Sequence, residues 1–205
     1  SISHLPDIGG IGYTAAATDI YQEGLRIPVC KLLEGGRPNE LMFEIIRANV
    51  RVSEQVVGDI MANVSCNQVS GQKLVEFMDE YGLDDLGDLS LAIRRQSERS
   101  MRECIRDIPD GVYRNTIDIE GFDESVTLAC SITVAGDDLI IDYEGTGPSV
   151  SRGINCALNI TSAWTYFALK CLMAGDIPNN QGFLAPVSIT APEGCILNAR
   201  PPSPT

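Results

Sequence analysis

Val126-Thr127-Leu128-Ala129-Cys130-Ser131-Ile132-Thr133-Val134 places an apolar side chain at every even position and a small or polar one between. A period of two puts Val126, Leu128, Cys130, Ile132 and Val134 on one face of an extended strand. Gly121-Phe122-Asp123 before it and Ala135-Gly136-Asp137 after it have the composition of turns. Asp138-Leu-Ile-Ile-Asp-Tyr143 reads as the next strand. The stretch from Gly111, with Tyr113, Thr116, Asp118 and Glu120 among apolar alternates, reads as the one before. Short turns between alternating strands predict an antiparallel meander of about three strands.

Upstream of Gly111 the period changes. Leu41, Ile45 and Ile46 form one short helical face, and Val57, Ile60, Met61 and Val64 follow the i, i+3, i+4, i+7 spacing of a second helix. Leu74, Val75 and Met78 resume that stripe as far as Gly82, which is expected to cap the helix C-terminus. A third helix is expected from Asp84 or Asp88 through Leu91, Ile93, Met101 and Ile105 to Pro109. Its polar run Arg94-Arg95-Gln-Ser-Glu98-Arg99 reads as a solvated, salt-bridged face.

Downstream, Ile154 to Met173 is expected to form one buried helix with Ala157, Ile160, Trp164, Phe167, Ala168 and Cys171 on its buried side. A Pro/Asn/Gly loop at 175–186 and a short strand, Val187-Ser-Ile-Thr190, follow. Residues 1–38, rich in Gly and Pro, are expected to be site-forming loops and short strands. The chain therefore divides into a loop region 1–38, a helical segment 39–109 and a sheet plus helix over 110–205, within one continuous domain. Helices precede strands and no βαβ alternation is evident, so the expected class is α+β.

Composition narrows the function. The chain has 205 residues, 44% of them hydrophobic, which suffices for a sizeable core. Its net charge of −13, from 28 acidic against 15 basic residues, argues against nucleic acid, because phosphate binding is driven by Lys and Arg. The longest apolar stretch, Ala163-Trp-Thr-Tyr-Phe-Ala-Leu, falls far short of the ~20 residues of a membrane span. Seven dispersed cysteines with no C-x-x-C spacing read as reduced thiols, so a cytoplasmic setting is expected.

Candidate chemistry concentrates at the start. His4, the only histidine, stands three positions before Asp7, and Gly9 and Gly10 follow. An imidazole and a carboxylate on a loop stiffened by Pro6, beside glycines that allow close backbone approach, suit a divalent metal or a polarised carbonyl. The same pattern also fits a strand-end cap and a turn. In the second helix Asp59, Asn63, Cys66 or Asn67, and Ser70 share a polar face able to present amides to a substrate or to water.

Gly145-Thr-Gly147-Pro and Ser151-Arg-Gly153 have the composition of anion-binding loops but lack a Walker or G-x-G-x-x-G context, so a turn role is expected. No G-x-S-x-G elbow occurs. Neither Cys66 nor Cys195 has a basic neighbour that would favour a thiolate.

Taken in order, H-x-x-D-I-G-G at 4–10, Ile20-Tyr-Gln22-Glu23-Gly24-Leu25-Arg-Ile-Pro28, Asn49-Val50-Arg51, Gly58-Asp59-Ile60, Ser151-Arg-Gly153-Ile-Asn155, Ile177-Pro-Asn179-Asn180-Gln-Gly182-Phe and Ala191-Pro-Glu-Gly194-Cys-Ile-Leu-Asn198 resemble the hydantoinase B/oxoprolinase family. The resemblance covers nearly all of residues 4–204. It implies a piece of a longer B-type subunit of an ATP-dependent hydrolase of hydantoins, lactams or 5-oxoproline. A subunit of an acetone or acetophenone carboxylase is the alternative within the family, and a non-catalytic scaffold segment docking a larger subunit is the alternative outside it. The resemblance gives His4 and Asp7 catalytic and metal-binding roles, and makes Gly9, Gly10, Gln22, Glu23, Asp59 and Asn155 site-lining. It further implies a hetero-oligomer, in which a partner A-type subunit binds ATP and phosphorylates the substrate, and a divalent ion whose other ligands lie outside this sequence.

Overall fold

A computed structural model describes residues 14–205. A 3-10 turn (Ile20–Gln22) leads to a two-residue ribbon, β1 (Leu33–Glu34) and β2 (Arg37–Pro38). Helices α1 (Glu40–Asn49), α2 (Ser53–Tyr81) and α3 (Gly87–Arg106) follow, then strands β3 (Gly111–Glu120), β4 (Ser125–Ala135) and β5 (Asp138–Asp142). Helices α4 (Leu158–Met173) and α5 (Gln181–Leu184) and strand β6 (Val187–Thr190) complete the order. The architecture is α+β.

The predicted helix boundaries have visible local causes. Asn39 caps α1 by accepting a hydrogen bond from the Met42 amide at 3.3 Å. Gly82 ends α2 in the left-handed region at φ 62°, where a side chain would be strained, and its N–H reaches the Asp79 and Met78 carbonyls. The stripe of α2 divides in two. Ile60 is buried and Val57, Met61 and Val64 are half-buried, whereas Val69, Leu74, Val75 and Tyr81 are exposed. Phe43, Ile46, Val50 and Ile60 form a small core with Leu25, Ile27 and Leu32 of the preceding loop.

In the sheet the expected meander is present, with β3, β4 and β5 antiparallel and β3 paired to β4 over ten residues. The order is β3-β4-β5-β6, and β6 runs parallel to β5, so the sheet is mixed and contains one β-α-β crossover. That crossover corrects the expectation of no βαβ alternation. A parallel return needs a long connection, here α4 and α5, and the strand expected at Val187–Thr190 carries nothing in its four residues to say which way it runs.

Register places Ile132 opposite Ile141 and Val134 opposite Leu139. Val134, Leu139 and Ile141 pack against Met101 and Ile105 of α3, Leu169 of α4, and Ile177, Phe183 and Val187. Arg102 fastens α3 to the β4–β5 turn, bonding Glu98, Asp137 and Asp138 at 2.8–2.9 Å while Arg106 takes the other Asp137 oxygen. Arg94, Arg95 and Arg99 face solvent as expected, but so do Leu91 and Ile93. The Arg94 main chain is met by Gly182, where a Cβ would lie 1.9 Å from the Arg94 carbonyl oxygen, so α5 can lie against α3 only without a side chain there.

Helix α4 departs from expectation in start and orientation. It begins at Leu158, not Ile154, and buries Thr161 and Leu169 while Ile160, Trp164 (65% exposed), Phe167 and Cys171 face outward. Its sequence is apolar on both sides, so hydrophobic spacing cannot choose a face. Polar tethers choose instead: Thr161 Oγ1 donates to the Leu197 carbonyl at 2.6 Å, Thr165 Oγ1 lies 2.7 Å from the Tyr143 hydroxyl, and Lys170 bonds the Ile177 carbonyl. All seven cysteines are free thiols. Among the described residues no helix is long and apolar enough to cross a membrane.

Candidate functional site

Three segments that are far apart in sequence meet around Asn155. Its side-chain oxygen accepts from the Val150 amide at 2.8 Å, and its Nδ2 donates to the carbonyls of Val150, Arg152 and Pro204 at 2.7–2.9 Å. The residue is buried and its polar atoms are all taken, so it fixes the loop at 150–155 to the segment at 200–205. Next to it the Gly153 amide donates to the Ala15 carbonyl at 3.2 Å, and a Cβ on Gly153 would come within 2.5 Å of the Thr14 oxygen. Glycine is therefore required where the N-terminal loop crosses.

That loop is held from its other end by Glu23. Its carboxylate accepts from both the amide and the hydroxyl of Thr205, and the Ile20 amide donates to Pro202 at 2.9 Å. Gln22 closes the same loop on itself, its side-chain amide reaching Thr18 at 2.8 Å and Asp19 at 3.3 Å. Residues 14–23, 150–155 and 202–205 thus make one junction, and Glu23, Gln22 and Asn155 all belong to it. Asp59 does not. It lies exposed on α2, and among the described residues no hydrogen bond or ion pair joins it to the junction. His4, Asp7, Gly9 and Gly10 lie outside the described residues, ten to four positions before Thr14.

The glycine loops serve as turns. Thr146 Oγ1 binds both the amide and the carbonyl of Ala129, and the Gly147 amide donates to Thr127 at 2.8 Å. Gly153 stands five residues before α4, so no helix N-terminus lies behind it.

The shifted titrations serve the fold. Burial raises the thiols of Cys130 and Cys156 and the hydroxyls of Tyr143 and Tyr166, which keeps them neutral. A raised thiol is a poor nucleophile, so neither cysteine is poised for covalent catalysis. Among the described residues no three His, Cys, Asp or Glu side chains gather as a metal cluster.

One largely apolar cleft with a polar rim carries no assigned role in the sequence reading. A cleft of about 760 Å³ between α3, α4 and α5 is lined by Arg94, Tyr166, Lys170, Asn179, Asn180 and Gln181. Asn180 caps α5 and donates to Ser97 at 2.8 Å, and the Lys170 ammonium lies 5.7 Å from the Phe183 ring centre. The signal was the Asn179-Asn180-Gln run, whose amides suit either capping or ligand contact.

Comparisons with known proteins agree with the sequence blocks. The model of the family described as hydantoinase B/oxoprolinase matches residues 1–205. The caprolactamase subunit beta of Pseudomonas jessenii is 32% identical over 209 residues, covering 98% of this chain and 36% of its own length. The crystal structure of the ATP-dependent caprolactamase from that organism superposes with a TM-score of 0.87 at 30% identity, over 98% of this chain and 36% of that one. A nucleotide-free acetone carboxylase structure has a TM-score of 0.81 at 14% identity, over 96% of this chain and 28% of that one, and shares the fold. This chain thus spans about a third of the length of these proteins.

Proposed function

The chain belongs to the hydantoinase B/oxoprolinase family, and from that premise we propose that it is part of the B-type subunit of an ATP-dependent hydrolase of cyclic amides such as hydantoins, lactams or 5-oxoproline. The observation that carries this reading is the relationship to an ATP-dependent caprolactamase, at 30% identity with the whole architecture retained. The carboxylase alternative rests on likeness of fold alone.

Resonance makes an amide carbon a weak electrophile, so an ATP-using partner subunit first phosphorylates the amide oxygen. Water then adds to that carbon, the ring C–N bond breaks as nitrogen takes a proton, and a second water releases phosphate from the acyl phosphate that remains.

In this proposal the junction at Asn155 has a positioning task. It anchors Thr14 and Ala15, which follow His4 and Asp7 in sequence by seven to eleven positions. His4 offers the only imidazole of the chain for proton transfer near neutral pH. An imidazole and a carboxylate also suit a divalent ion, although two donors fall short of the usual four or more. The remaining ligands, the ATP-binding partner and a cytoplasmic setting belong to the proposal as well.

The test is partner dependence. A complete subunit combined with its ATP-using partner is expected to open a cyclic amide only while ATP is consumed. The 205-residue chain alone, given ATP and magnesium, is expected to be inactive. Turnover by the isolated chain would contradict the division of labour.

A further inference from the structure

Strand β3 is the edge of the sheet, and among the described residues its ten-residue outer side pairs with nothing. Natural edges of that length are blunted by proline, by a bulge, by charged side chains or by an element that covers them. Here Arg114, Asp118 and Glu120 all lie on the face away from the helices, while Tyr113, Asn115, Ile117 and Ile119 share the helix-side face with Ile132 and Ile141.

That helix-side face is incompletely covered. Helix α4 lies over β4 and β5, leaving an apolar trough of about 480 Å³ whose walls include Ile117, Leu128, Cys130, Trp164 and Leu172. Ile117 is 53% exposed, Trp164 65% and Leu172 82%. The one charge in α4, Lys170, is turned toward the Ile177 carbonyl, so the outer side of α4 is uncharged in a chain of net charge −13. Lack of charge at the centre of a contact marks a permanent interface.

We propose that β3 receives a further β-strand from the part of a B-type subunit that lies outside this 205-residue match. The strand's alternate apolar side chains would fill the trough beside Trp164. The relative lengths support that occupant, because this chain spans only 36% of the caprolactamase beta subunit. A helix laid in the trough would bury apolar surface but leave the edge amides and carbonyls of β3 unpaired, whereas a strand satisfies both. The inference rests on family membership and the sheet edge, and is independent of the reaction proposed above.

Hydrogen exchange tests it on two proteins, this chain and the complete caprolactamase beta subunit of Pseudomonas jessenii. In this chain the amides of residues 111–120 that point away from β4 are expected to exchange as exposed edge amides. In the complete subunit the aligned strand is expected to be protected by about 100-fold or more. Equal, fast exchange in both proteins would overturn the proposal. Slow exchange already in this chain would also overturn it, by showing that its own residues 1–13 or a second copy hold the edge; sedimentation of the same sample at monomer or dimer mass tells those two apart.

Discussion

The Asn155 side chain donates to the carbonyl of Pro204 at 2.7 Å, across 49 residues of sequence, while its oxygen holds the amide of Val150. The contact is buried, so it fixes the junction that receives the N-terminal loop.

Replacing Asn155 therefore leaves buried backbone groups without partners. Asn155→Ala is expected to cost about 2–4 kcal/mol, since each orphaned buried polar group costs roughly 1–3. Asn155→Asp keeps the acceptor for Val150 but aims a carboxylate at three carbonyls, so it should be no better at neutral pH. Urea unfolding of both variants is the check, and a loss below about 0.5 kcal/mol would show that the junction does not hold the loops.

Two glycine substitutions should move stability in opposite directions. Gly182→Ala drives a Cβ into the Arg94 carbonyl and should cost about 3 kcal/mol. Gly71→Ala, within α2 and with nothing within 4 Å of the added carbon, should gain roughly 0.5–1 kcal/mol through helix propensity. Thermal melts of the pair would contradict the α3–α5 packing if both shifted the same way.

The Asp137 carboxylate predicts an acid dependence. The Arg106 guanidinium, with Arg102 beside it, holds that carboxyl below the usual carboxylate range. A pKa lower in the folded state contributes stability above the unfolded value of about 3.9, and the contribution is lost as pH falls through the folded value. Asp137→Asn should therefore melt below the wild type at pH 6–7, with the gap closing below about pH 4. A gap independent of pH would mean that the ion pairs around Arg102 do not stabilise the fold.

Local chemistry was legible in the sequence where one residue decides a local geometry. Gly82 ends a helix, Gly136 turns a hairpin, and the alternation from Val126 to Val134 makes a strand regardless of what lies elsewhere. The face of α4 was illegible because its apolar residues surround it, and its orientation depends on Thr161, Thr165 and Lys170 reaching partners up to 36 residues away. The junction was half legible. Gln22, Glu23 and Asn155 stood out as members of blocks, but the roles of Glu23 and Asn155 come from main-chain groups of Val150, Pro204 and Thr205 that no side-chain pattern announces. Asp59 stands exposed on α2, apart from that junction.

The central claim, that this chain supplies the hydrolytic residues of an ATP-dependent cyclic amide hydrolase, is tested most directly by the turnover of His4→Ala and Asp7→Asn in the complete subunit with its ATP-using partner. Both variants are expected to lose most ATP-dependent ring opening and to lower bound divalent metal, while melting within about 1 kcal/mol of the wild type, because neither residue belongs to an apolar stripe of the sequence. Wild-type turnover with full metal occupancy in either variant would remove that residue from the site, and a collapsed melt would make its role structural.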